Sequence, residues 1–172
     1  MLLELSVLGV LLGIVVQDFL CRSVYLFFFP VLLVLFLLLK GFGHLLSNET
    51  FKTVLINLGF LVFQLALLTA YFSVKRRLFV NITSELLGWG DISLLVCIAF
   101  YLSVLNFLFF YLSSLLLVLI GWGLYTALNG KKDKHIPLAG LQGVVLIIYL
   151  AGDWFFKVAD LTNDAWLLHF IT

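Results

Sequence analysis

The stretch ISLLVCIAFYLSVLNFLFFYLSSLLLVLIGWGLYTALN, residues 92–129, decides how this chain is built. As one helix rising about 1.5 Å per residue it would run to about 57 Å, nearly twice the roughly 30 Å of a bilayer's hydrocarbon core. Two membrane-crossing helices fit it better than one. The turn between them is expected around Ser103 to Asn106, where a helix-disfavouring asparagine interrupts the apolar residues.

Working outward, Leu78 to Trp89 mixes apolar and polar residues and suits an interfacial helix before Gly88-Trp89-Gly90-Asp91 opens the long stretch. Upstream, Lys75-Arg76-Arg77 closes a third apolar run from about Phe51 to Val74, and a polar loop, Lys40 to Lys52, precedes it. Cys21-Arg22-Ser23 separates the first run, Leu5 to Leu20, from the second, Tyr25 to Leu39. Downstream, the basic loop Lys131 to His135 leads through Ile136-Pro137 into a sixth run ending near Gly152. The expected fold is all-α, a polytopic membrane bundle of about six transmembrane helices over residues 1–152. Residues 153–172, with Trp154, Phe155 and Trp166, are expected to form an interfacial tail.

Composition agrees: of 172 residues 64% are hydrophobic and 11% charged, against about a quarter charged in a soluble domain. Such a chain needs lipid as its surrounding partner, and the formal net charge of +1 gives no bulk attraction toward nucleic acid. Cys21 and Cys97 lack CxxC spacing and read as apolar filler, and His44, His135 and His169 have no metal-ligand spacing. Neither a metal nor a cofactor is implied. Asn48-Glu-Thr50 and Asn81-Ile-Thr83 match a glycosylation pattern that is too common to be informative. Glu4 stands where a signal peptide would carry basic residues, so the first helix is expected to be retained.

Charge placement tests the helix count, because short loops rich in Lys and Arg stay cytoplasmic. Six helices put Arg22, Lys75, Arg76, Arg77, Lys131, Lys132 and Lys134 on one side and only Lys40, Lys52 and Lys157 on the other. Both termini then lie outside. This arrangement brings Asp18, at the end of helix one, and Asp91, at the start of helix four, to the same cytoplasmic face.

A carboxylate at membrane depth costs roughly 2.5 to 3.5 kcal/mol at a helix centre, and less near the interface, so each needs a reason. Asp91 could cap helix four. Asp18, in a last turn at the negative end of the macrodipole, could pair with Arg22 four residues on. Brought together, the two have a specific chemistry. Neighbouring carboxylates resist joint ionisation and share a proton, one serving as base and the other as acid in peptide hydrolysis. Gly88 and Gly90, flanking Asp91, permit unusual backbone angles and close approach of another chain. Asn57 and Gln64 suit interhelical hydrogen bonds, and Gly121-Trp122-Gly123 suits packing.

Gly88-Trp89-Gly90-Asp91 resembles the GxGD signature of type IV prepilin peptidases and archaeal preflagellin peptidases. The segment Gln17-Asp18 to Arg22-Ser23-Val24 is similar to that family's aspartate followed by basic residues and Ile-Pro-Asn. Ile136-Pro137-Leu138-Ala139-Gly140 is similar to its Ile-Pro-Phe-Gly-Pro motif. The likeness spans about Leu5 to Gly152. It implies a six-helix intramembrane aspartic peptidase in a prokaryotic cytoplasmic membrane, with Asp18 and Asp91 as catalytic dyad and Gly88, Gly90, Arg22, Ile136 and Pro137 as supporting positions. The implied substrate is a single-span precursor, and cleavage without N-methylation is implied because the methyltransferase region of large bacterial members is absent. The chain departs from the family at Tyr25-Leu26 in place of Pro-Asn, at Ser93 in place of a lysine and at Gly140 in place of the second proline. A noncatalytic relative, or a small ion-coupled transporter using the same carboxylates, is the alternative.

Overall fold

The computed structural model describes residues 1–41, 47–76, 88–129, 137–157 and 160–167. Their regular structure is helical: α1 (Leu2–Cys21), α2 (Phe28–Lys40), α3 (Asn48–Arg76), α4 (Trp89–Tyr101), α5 (Val104–Asn129) and α6 (Leu138–Trp154). Three segments are long and apolar enough to cross a membrane, Leu2–Cys21, Asn48–Lys75 and Val104–Ala127. The other three helices are apolar but short, at 13, 13 and 17 residues. Arg77, the interfacial helix expected before Gly88, the loop Lys131 to His135, Ile136, the three histidines and Asn81-Ile-Thr83 lie outside the described residues.

Each boundary has a local cause. Arg22 adopts a left-handed conformation, φ 51°, and its N–H returns to the Asp18 carbonyl at 2.9 Å, which closes α1. The chain from Arg22 to Phe27 is not helical, so α2 starts three residues later than its apolar run. Gly41 ends α2 at φ 79°, where a side chain would be strained. Part of the expected Lys40–Lys52 loop is helix instead. Ser47 Oγ accepts the Thr50 N–H at 3.3 Å and Glu49 lies in the first turn, so the polar residues that read as loop begin α3.

The break inside residues 92–129 falls at Leu102, whose extended backbone separates α4 from α5, just upstream of the expected turn. The C-terminal residues hold it. Asp164 Oδ1 accepts the N–H groups of Leu105 and Asn106 at 3.1 and 3.3 Å and the Ser103 hydroxyl at 2.5 Å, capping α5. Asn106 Nδ2 in turn donates to the carbonyls of Asp160 and Asn163, and Leu161 is buried. These residues of the expected interfacial tail are therefore docked on the bundle, and α6 runs two residues past Gly152.

The core is built from Leu11 and Ile14 of α1, Leu32 and Phe36 of α2, Leu94 and Ile98 of α4, Phe107 and Phe110 of α5, and Leu146 and Leu150 of α6. Helix α1 packs most extensively on α6, and α4 contacts α2, α3 and α6. Helix α3 is peripheral and presents Leu55, Val62, Phe63 and Leu67 outward, as a lipid-facing helix does. Carbonyls at the end of α4 are taken by side chains. Asn57 Nδ2 donates to Ala99 and Leu102, both at 3.1 Å, and Lys40 Nζ donates to Phe100 at 3.0 Å. The interhelical role expected of Asn57 holds. Asn57→Leu leaves two buried carbonyls unpaired and is expected to destabilise the protein by about 1–3 kcal/mol, read from denaturation in mild detergent.

Candidate active site

Asp18 stands in the last turn of α1 and is buried. Its own helix offers it nothing, since its C-terminal end is negative. A different helix supplies the partner: the Gly140 N–H donates to Asp18 Oδ2 at 2.6 Å. Asp91 occupies the first turn of α4. Its Oδ2 accepts the Gly88 N–H at 3.0 Å while its own N–H returns to the Gly88 carbonyl at 3.1 Å, so Gly88 and not Asp91 is the N-cap, and Asp91 supports the helix start from its third position. The Asp91 carboxylate also lies near the Ala139 N–H.

Ala139 and Gly140 are successive residues in the first turn of α6, immediately after Pro137. Asp18 is therefore bound to the first turn of α6 and Asp91 lies beside the same turn, near enough for the two charges to act on each other. Proline suits this place because it begins a helix without needing a hydrogen bond for its own nitrogen. Asp18 and Asp91 thus share a site built from α1, α4 and α6.

Close approach of α1 and α6 depends on glycine. A Cβ on Gly140 would stand 3.0 Å from Asp18 Oδ2, 3.2 Å from Asp18 Cβ and 3.3 Å from Phe19 Cδ2. One turn on, a Cβ on Gly143 would stand 2.9 Å from Val15 Cγ2. The expected roles of the other glycines need correction. Among the described glycines only Gly41 has a positive φ, so Gly88 and Gly90 are not there for unusual backbone angles. Gly88 is extended, at φ −69° and ψ 149°, and a Cβ there would lie 3.3 Å from Asp91 Oδ2, whereas at Gly90 its contacts would be ordinary. Gly121 and Gly123 have open space beside them, so the second Gly-Trp-Gly is not a packing element of the bundle.

Of the other expected site residues, Arg22 is exposed at the end of α1, Pro137 is buried and Ile136 is outside the described residues. Cys97 is buried and its thiol donates to the Phe29 carbonyl at 3.3 Å, while Cys21 is exposed. Sequence reasoning missed the amides of Ala139 and Gly140, which carry no side-chain signal. It also missed Gln142, a fully buried amide one turn into α6, whose position five residues after Pro137 was the available clue. No family model matches this chain, and comparisons with curated proteins and with solved structures found no match either.

Proposed function

We propose that this chain is an intramembrane aspartic endopeptidase resembling the prepilin peptidases, which uses Asp18 and Asp91 to cut a membrane-anchored, single-span precursor. The observation that carries the reading is the convergence of both carboxylates on the first turn of α6. In this reading the chain crosses a prokaryotic cytoplasmic membrane six times, with both termini outside and the dyad at the cytoplasmic face. The basic residues Arg22, Lys75, Arg76, Arg77, Lys131, Lys132 and Lys134 on that side support the orientation.

One proton is shared by the pair. The ionised carboxylate takes a proton from water as its oxygen attacks the scissile carbonyl carbon, and the protonated partner donates to the carbonyl oxygen. A tetrahedral diol results. When it collapses the C–N bond breaks, the amine leaves with a proton, and a carboxylic acid remains on the leader. The amides of Ala139 and Gly140 and the positive end of α6 suit the single negative charge that such a pair keeps.

A noncatalytic relative has one observation in its favour, since each carboxylate also accepts a backbone N–H as a cap would. A peptide isostere with a hydroxyl in place of the scissile carbonyl separates the readings, because it mimics the tetrahedral state. The peptidase reading expects it to bind the reconstituted protein and to lose about 100-fold or more in affinity with Asp18→Asn or Asp91→Asn, within the range typical of such analogues. Equal binding to all three proteins would sink the dyad.

A further inference from the structure

The buried amides of this bundle are not alike. Asn57 gives its Nδ2 to two backbone carbonyls at the end of α4, and Asn106 gives its own to Ser103 and the C-terminal residues, with only its Oδ1 lacking a partner among the described residues. Gln142 is fully buried, and neither its Nε2 nor its Oε1 has a hydrogen-bond partner among the described residues. Leaving both ends of an amide unmade in apolar surroundings is costly, and folding alone gives no reason for it.

Its place suggests the reason. Gln142 follows Ala139 by three residues, on the stripe of α6 that also carries Leu146 and Leu150, both fully buried. Helical side chains in general lean toward the N-terminus, which from position 142 is the direction of the turn that binds Asp18 and lies beside Asp91. A glutamine side chain offers one carbonyl and two N–H donors, the complement of a peptide group. A single-span substrate poses the matching problem: its helix must unwind before a peptide bond can reach two carboxylates, which leaves backbone N–H and C=O groups unpaired at membrane depth.

We propose that Gln142 receives the main chain of the unwound substrate, its Oε1 accepting a backbone N–H and its Nε2 donating to a backbone carbonyl beside the scissile bond. This rests on the peptidase reading for its substrate class. It adds a binding residue that acts on the backbone and so tolerates varied side chains around the cut.

The test uses the full chain in lipid nanodiscs with Gln142→Met and Gln142→Leu, both of similar volume and neither able to pair with a peptide. Because an unpartnered amide is removed, both variants are expected to melt at or above the native temperature. Affinity for a fluorescent synthetic single-span peptide, measured in an Asp91→Asn background so that it stays intact, is expected to fall roughly tenfold, the size that two neutral hydrogen bonds support. A clear drop in melting temperature would make Gln142 a structural amide and overturn the proposal. Unchanged peptide affinity, or no peptide binding before substitution, would overturn it as well. Peptide binding that depends on Gln142 without any cleavage by the native protein would uphold the proposal while removing the peptidase reading. Cleavage indifferent to Gln142 would do the reverse.

Discussion

Replacing either Asp18 or Asp91 with asparagine is expected to lower precursor cleavage by about 1,000-fold or more, the upper part of the range for loss of a general acid or base. Asparagine keeps the size of the side chain and can still accept the N–H of Gly140 or Gly88, so the fold should survive. In the proposed mechanism what it removes is the shared proton. The double variant is expected to be about as inactive as either single one, because residues that act as a unit lose their effect together. Additive losses would mean that the two carboxylates act separately. Cleavage kinetics in proteoliposomes, with folding checked by thermal melting, distinguishes these outcomes.

The second large effect is expected at Gly140, where there is no room for a side chain. A valine would drive its Cβ to 3.0 Å from Asp18 Oδ2 and its branches into the space of Phe19. Either α1 and α6 separate or Asp18 is displaced from the Gly140 amide, and both take one carboxylate away from the other. Overpacking of this kind costs about 1–3 kcal/mol, so Gly140→Val should melt lower and lose most of its cleavage. A valine at Gly121, beside open space, is the control expected to leave both unchanged. If Gly140→Val cut at the native rate, the geometry at the head of α6 would not matter to the chemistry.

The apolar runs revealed the helices because lipid demands long uninterrupted segments, and all six runs contain one. Their ends were less legible. Asn106 marked the break at Leu102 to within a few residues, but not its cap, because the cap of α5 comes from Asp164, far along the chain, and only the folded tail brings it there. The polar start of α3 read as loop because Ser, Asn and Glu serve both loops and helix N-termini. At the site, the charge pattern and the likeness of Gly88 to Asp91 and of Ile136 to Gly140 to peptidase motifs brought Asp18 and Asp91 together on paper. The reason Asp18 tolerates its position, a backbone N–H from a helix more than a hundred residues on, has no letter in the sequence. Gly140 itself was legible only as a departure from the family's second proline, yet that departure supplies the N–H, which proline lacks.

The most direct test of the dyad is to reconstitute the native protein with a panel of single-span precursors and map the products by mass spectrometry. The expected result is one cut at the cytoplasmic end of the precursor's span, absent when Asp18→Asn or Asp91→Asn replaces the native chain. A cut that persists without either carboxylate, or precursors that remain whole across the panel, would contradict it.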